Sequence, residues 1–384
     1  MKRKICVVIT ARPSYSRIKT ALKAINEHPR LELQLVVAGS ALLDRYGNAV
    51  DYIEKDGFIV NARVFNILEG ENLMAAAKTT GIGIIELASV FNNLKPEIVV
   101  TIADRFETIA TAIAASYMNI PLAHIQGGEV TGNIDEKVRH SITKLADYHL
   151  VASEDAKERV LKMGELQENV FNTGCPSIDL AAEVKNEEQL GFDPFDKYGG
   201  VGIRFNINKD YLVVMQHPVT TEHRYARRHV EQTLNAIKDL GIPTCWFWPN
   251  VDAGADGTSK GIRAFREHND IDHIHFFKNM EPNDFLRLLK NSRGLIGNSS
   301  VGIRECSYLG VPVVNIGSRQ NRRMRGDNVI DVDYNSQQIK DAIISWMNTD
   351  KVKSSEVYGG GNAGANIAEV LANVKLIHHK TIAY

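Results

Sequence analysis

Residues able to move protons crowd into HIQGGEVTGNIDEKVRHSITKLADYH, residues 124–149. Four carboxylates stand there, Glu129, Asp135, Glu136 and Asp147, among His124, Gln126, His140 and His149. Removing a proton and later returning one calls for two acids in different surroundings, one ionised while the other is protonated. Gly127 and Gly128 let the backbone come close to a ligand, and Glu129 leaves their turn. Asp135 and Arg139, four apart, equally fit a surface pair contributing about 0.3–0.5 kcal/mol. That bland reading also suits Glu136, Lys137 and Asp147. It suits Glu129 poorly, because a carboxylate behind Gly-Gly at a strand end needs a reason.

Other segments carry groups suited to an anion or a sugar. In IADRFET, Asp104 ends a strand and Arg105 starts a helix; the acid either acts on a ligand or caps that helix. TARPSYSR offers Arg12 and Arg17 at a helix start, as an anion site or as surface charges beside a cap by Ser14. QHPVTTEHR sets His217 before a proline, in extended backbone, with Arg224 behind it. PNVDAGADG supplies Asn250 and Asp252 but lacks the glutamate a calcium loop requires. The strongest local signal is GLIGNSSVGIRECSYLG, where Ser299 and Ser300 open a helix as an anion cradle suited to a diphosphate. Glu305 follows within reach of ribose hydroxyls, and the Lys-Ser/Thr of a Walker loop is absent. GSRQNRRMRGDN carries Arg319, Arg322, Arg323 and Arg325, of which Arg319 is placed to neutralise phosphate.

These segments must be positioned by a scaffold, and the β-branched runs supply one. KICVVIT, LELQLVVAG, EIVVTIAD, IPLAHIQ and YHLVAS read as buried parallel strands, with helical patterns near 15–28, 71–94, 105–118, 135–146 and 154–163. After a polar break over 186–210 the rhythm restarts with YLVVMQ, PTCWFWP, IDHIHFF, GLIGN, VPVVNI and NVIDV. The expectation is an α/β chain of two doubly wound Rossmann-like domains, 1–175 and 176–363. A final helix over 364–384 is expected to pack back on the first. Ligands of such sheets bind beyond the carboxyl ends of the strands, where every segment above emerges.

The bulk numbers exclude several classes. A chain of 384 residues exceeds one comfortable core. Its formal net charge of −1 argues against bulk attraction to nucleic acid or anionic membrane. No apolar run approaches 18 residues, and no signal-peptide pattern precedes the first strand. Cys6, Cys175, Cys245 and Cys306 are scattered without C-x-x-C spacing, as reduced thiols of a cytoplasmic protein would be.

Taken in order, DRFET, HIQGGEVTG-x-IDE-x-x-RHSITKLADYH, QHPVTTE, PN-x-DAG, IGNSS-x-G-x-RE and GSRQ-x-R resemble the hydrolysing UDP-N-acetylglucosamine 2-epimerases. The resemblance runs from Arg12 to Arg323. It implies a glycosyltransferase-B-like fold with a cleft between the domains. It implies nucleotide and phosphate contacts from His217, Asn250, Ser299, Ser300, Glu305 and Arg319, joined by Arg12, Ser16 and Arg105. Asp104 and Asp135 are the implied catalytic carboxylates. Animal members carry glutamate where this chain has Gln126, and an amide cannot shuttle a proton; Glu129 is the nearest replacement. The implied reaction eliminates the nucleotide to a 2-acetamidoglycal and rehydrates it, in nonulosonic (sialic or legionaminic) acid biosynthesis. It needs no cofactor or metal, takes a UDP-sugar or GDP-sugar, and is expected in a homodimer or homotetramer. A non-hydrolysing epimerase, a glycosyltransferase of the same fold and a non-catalytic sugar-nucleotide sensor stand as alternatives.

Overall fold

The runs rich in valine and isoleucine form strands because both faces of each are covered, so no polar alternation is needed. The computed structural model describes residues 2–44, 48–68, 73–102, 107–130, 135–249, 255–349 and 352–383. The chain divides into two units. One gathers Met1–Glu129, Ile134–Asp179 and Tyr358–Tyr384; the other takes Val130–Asn133 and Leu180–Val357.

The first unit holds strands β1 (Arg3–Ile9), β2 (Leu31–Ala38), β3 (Val60–Val64), β4 (Ile98–Ile102), β5 (Leu122–Ile125), β6 (Tyr148–Val151) and β7 (Val170–Asn172). They make one parallel sheet in the order β3-β2-β1-β4-β5-β6-β7. The pleat sends Ile5, Val7 and Ile9 into one core, with Ile18, Leu22 and Ile367. Cys6 and Val8 point into the other, with Leu87, Phe91 and Ile142. Each such side chain, fully buried, contributes about 1.5–3 kcal/mol. Helix Leu73–Leu94 belongs to the second layer and packs on helix Thr108–Tyr117. By length and composition alone its stretch Met74–Leu94, with mean hydropathy 1.3, would also cross a membrane.

The second unit holds β8 (Val201–Gly202), β9 (Leu212–Met215), β10 (Thr244–Phe247), β11 (Ile274–Phe277), β12 (Gly294–Gly297), β13 (Val313–Ile316) and β14 (Val329–Val332). Their order is β14-β13-β12-β9-β10-β11-β8, parallel except for the antiparallel β8. In both sheets the order reverses beside the first long strand, between β1 and β4 and between β9 and β12. Doubly wound sheets bind ligands at that reversal.

Three strands and several helices differ from the sequence reading. β3 alternates exposed and half-buried residues, while β7 and β8 are only three and two residues long. Edge strands lack the buried run by which the others are recognised. Helix Ala49–Lys55 was likewise not expected. The final helix is Ala363–Asn373, shorter than 364–384. Beyond it VKLIHHKTIA follows without regular structure, its β-branched residues disfavouring helix. This helix packs on helix Arg12–Glu27, close enough that a Cβ on Gly364 would stand 2.7 Å from the Thr20 carbonyl oxygen.

Candidate active site

At the reversal of the second sheet, the ends of β9 and β12 lie against each other. Gly297 adopts φ +136°, and a Cβ there would sit 2.2 Å from the Met215 carbonyl oxygen, so only glycine fits. The chain then presents Asn298, 1% exposed, as a bracket between loops. Its Oδ1 accepts from the His217 N–H at 2.7 Å, and its Nδ2 donates to the His217 carbonyl at 2.8 Å. The Asn298 carbonyl accepts from Arg319 Nη1 at 3.2 Å and from Gln320 Nε2 at 2.9 Å. Gln320 in turn accepts from Arg323 Nη1 at 2.9 Å. Burial first, and then the Arg319 charge, push the His217 imidazole down to about 3. It is therefore neutral at working pH, able to donate or accept a hydrogen bond without carrying charge.

Ser299 caps the turn that follows, its Oγ accepting from the Val301 N–H. The expected long helix is broken: Ser300–Ile303 is one turn, and Glu305–Leu309 starts afresh after Arg304. So short a helix has little dipole to offer an anion. Arg319, its Nη1 on the Asn298 carbonyl, brings positive charge to this edge. Of the four arginines, Arg325 pairs with Asp331 at 2.6 Å and Arg323 is buried on Gln320, so both hold the loop itself.

In the first unit the notable turn follows β5. Gln126 is 2% exposed and takes φ +64°, a strained conformation for a non-glycine residue that its surroundings must hold in place. Its N–H donates to the Leu150 carbonyl at 2.9 Å and its Nε2 to Cys175 Sγ at 3.1 Å; Ser177 Oγ lies 3.0 Å from that sulfur. Gly127 and Gly128 serve close packing within the protein. A Cβ on Gly128, at φ +75°, would meet the Ala156 carbonyl oxygen at 2.3 Å, and one on Gly127 the His124 ring at 2.9 Å. Arg139 corrects the surface-pair reading. It is 2% exposed, and its Nη1 donates to the Glu129 carbonyl at 2.8 Å, while Arg159 Nη1 reaches the Gly128 carbonyl at 3.1 Å. Two guanidinium groups thus fix the turn from which the buried Glu129 leaves.

His124 and His149 of this stretch are structural. His124 lies 3.2 Å from Thr143 Oγ1, and His149 Nε2 lies 2.9 Å from the Glu165 carboxylate. Asp147 accepts from the Leu122 N–H at 2.8 Å. Arg12 begins its helix with the guanidinium 4.7 Å from the Tyr52 ring centroid, and Ser16 Oγ donates to the Arg12 carbonyl at 3.4 Å. Ala11, not Ser14, is the cap there, with no side-chain bond, and Ser14 is buried. Beside it, at the ends of β1 and β4, Thr10 and Thr108 hydroxyls lie 3.4 Å apart above the buried Glu107. Asp104, Arg105, Asn250 and Asp252 lie outside the described residues, as does the side chain of Asp135. A cavity of about 880 Å³ between Tyr148, Phe171 and Ile377 lies at the amino ends of β6 and β7, the edge opposite Glu129.

Asn298 and Cys175 are contributors to which the sequence reading gave no role, and Arg139, read there as half of a surface pair, is a third. Asn298 and Arg139 stand inside the quoted motifs, whereas Cys175 carries no local signal.

Two seven-stranded doubly wound α/β sheets, with polar loops gathered at each reversal, define a glycosyltransferase-B-like fold. The UDP-N-acetylglucosamine 2-epimerase family model matches residues 23–372, and the chain belongs to that family. It is 33% identical over 376 residues to the UDP-N,N'-diacetylbacillosamine 2-epimerase (hydrolyzing) of Legionella pneumophila, covering 98% of this chain and 97% of that one. It is 31% identical over 384 residues to the UDP-N-acetylglucosamine 2-epimerase of Neisseria meningitidis serogroup B, covering 97% and 96%. The crystal structure of UDP-GlcNAc 2-epimerase from Neisseria meningitidis bound to UDP-GlcNAc shares the fold, with TM-score 0.79 at 19% identity over 96% of this chain and 99% of that one.

Proposed function

We propose that the chain is a hydrolysing 2-epimerase, converting UDP-N-acetylglucosamine or its N,N'-diacetylbacillosamine counterpart to UDP and a free manno-configured sugar. The observation that carries this reading is Glu129: a buried carboxylate on a turn fixed by Arg139 and Arg159, at a sheet edge where ligands bind. The full-length likeness to the Legionella hydrolysing enzyme supports it.

The C2 hydrogen of the sugar is not acidic until the anomeric C–O bond begins to break. Arg319 and the neutral His217, held ready on Asn298, stabilise charge on the departing diphosphate. As the C1–O bond cleaves, a carboxylate takes the C2 proton and the electron pair closes the C1–C2 double bond of the glycal. Water then adds its hydroxyl to C1, its remaining proton passing to a carboxylate, while a second acid delivers a proton to the opposite face of C2. Asp104 is one partner, with Glu129 or Asp135 the other; Gln126 orients the turn.

The same reading places the enzyme in nonulosonic acid biosynthesis, in the cytoplasm, as a homodimer or homotetramer, with GDP-sugars as further substrates. A panel of UDP- and GDP-linked N-acetylglucosamine and N,N'-diacetylbacillosamine, followed by released nucleotide, tests it. Nucleoside diphosphate should appear with no acceptor present. Two nucleotide sugars at equilibrium, or release only with an acceptor, would overturn it.

A further inference from the structure

Glu129 and Asp135, the two carboxylates offered beside Asp104 for proton transfer, belong to one piece of structure. Helix Asp135–Leu145 starts at Asp135 and carries Arg139 about one turn later. Ile142 of the same helix is fully buried in a core with Leu87 and Phe91, which seats the helix on the first sheet. From that footing the Arg139 guanidinium crosses to the turn after β5 and donates to the Glu129 carbonyl at 2.8 Å. At 2% exposure it is out of water, where a charged group is kept only if its hydrogen bonds replace the solvent.

The same helix touches the turn a second time, at Gly127. His124 Nδ1 lies 3.2 Å from Thr143 Oγ1, one turn beyond Arg139. A Cβ on Gly127 would stand 2.9 Å from that nitrogen and 3.0 Å from that hydroxyl, so no slack separates turn from helix. On the other side Arg159 of helix Glu154–Lys162 holds the Gly128 carbonyl at 3.1 Å. Because the Arg139 bond ends on a main-chain oxygen, it fixes where the Glu129 backbone stands relative to the helix start.

We propose that Arg139 is a positioning residue that keeps Glu129 and Asp135 at one spacing, and that this spacing decides whether the glycal is rehydrated or lost. The inference rests on the elimination reading above. In that reaction C2 loses a proton as the C1–O bond breaks and gains one on the opposite face as water adds. Both transfers need a carboxyl group within hydrogen-bond reach, and a misplacement of about 1 Å costs about 10²-fold. When the first transfer succeeds and the second fails, the glycal departs with UDP, and the proton taken from C2 passes to solvent. Free 2-acetamidoglycal therefore reports a lost spacing, whereas poor folding or weak nucleotide binding only slows every product alike.

The test is an NMR time course of UDP-N-acetylglucosamine, or its diacetylbacillosamine counterpart, with wild type, Arg139→Gln, Gly127→Ala and Lys144→Gln. UDP affinity by calorimetry and thermal midpoints are measured alongside. Gly127→Ala wedges the same spacing open without touching the guanidinium. Lys144→Gln is the control: it sits in the last turn of the same helix and loses the ion pair with Glu165, leaving the turn after β5 alone. Arg139→Gln and Gly127→Ala should each slow sugar formation by about 10²-fold and release glycal above the wild-type level. Their UDP affinity should stay within about twofold of wild type, since the loss falls on the chemical step. Lys144→Gln should release no extra glycal even if its midpoint falls. Wild-type rates in Arg139→Gln, or slower sugar formation without extra glycal, would overturn the proposal. So would extra glycal from Lys144→Gln, or wild-type products from Gly127→Ala beside an impaired Arg139→Gln, which would mark the guanidinium as acting on the substrate itself. If Arg139→Gln fails to fold, Gly127→Ala carries the test, with extra glycal expected and wild-type products overturning it. A wild type that releases no UDP from either sugar would instead sink the functional reading, and this inference with it.

Discussion

In the proposed reaction, Glu129 takes the proton-transfer role that the amide of Gln126 cannot perform. Gln126 is committed inward, its amide on Cys175 Sγ and its backbone in a left-handed turn. Three residues on, the turn that carries Glu129 is held by Arg139 on the Glu129 carbonyl and by Arg159 on the Gly128 carbonyl. Glu129→Gln should therefore lower kcat by about 10²-fold or more, the usual scale for an acid–base group, with UDP affinity little changed. Gln126→Glu should keep turnover, because the Cys175 thiol can donate to a carboxylate as readily as its sulfur accepts from an amide. Steady-state kinetics of the two variants decide the matter. Full activity in Glu129→Gln would pass the role to Asp135 alone.

Between elements, the tightest electrostatic knot is Glu165, 3% exposed between helix Glu154–Lys162 and β7. Its carboxylate accepts from Lys144 of helix Asp135–Leu145, lies 2.9 Å from His149 of β6, and pairs with Lys380 of the terminal segment. Burial alone would raise its pKa; the bonds from His149, Lys144 and Lys380 outweigh that and hold it down to about 2. A carboxylate depressed on folding adds stability above its unfolded value, about 4.3, and loses that share as pH falls towards 2. Burial also lowers the pKa of His149, so the folded state resists its protonation below about 6.5, which adds to the acid loss. Urea unfolding across pH 6 to 3 should show stability falling, and falling less steeply in Glu165→Gln. Parallel curves for the two proteins would remove Glu165 from the acid response. None of this knot is legible in the sequence, where Lys144, His149, Glu165 and Lys380 share no spacing; only the register of β6 and the path of the tail bring them together. The site edge is more legible. Glu129, His217, Ser299 and Arg319 each follow a strong β-branched run, and a strand's carboxyl end is predictable from the run itself. Hidden from that reasoning were the short edge strands β3, β7 and β8 and the break at Arg304. So was the true use of Gly127 and Gly128, which depends on what packs against them.

At the scale of the whole molecule, both units repeat one solution: a doubly wound sheet whose order reverses beside its first long strand, with polar loops gathered there. The first unit offers carboxylates at that edge and the second offers a bracketed histidine and arginine. That division suits a reaction in which a diphosphate leaves while a carbon-bound proton is exchanged. The central claim is elimination to a glycal followed by rehydration. It is tested most directly by running the reaction with UDP-N-acetylglucosamine, or its diacetylbacillosamine counterpart, in D₂O and reading the products by NMR. The acid that returns the proton exchanges with solvent, so the account predicts free UDP and a free manno-configured sugar deuterated at C2. Deuterium at C2 with the sugar still on the diphosphate would mark the non-hydrolysing reaction, and released sugar with an unlabelled C2 would contradict the elimination mechanism outright.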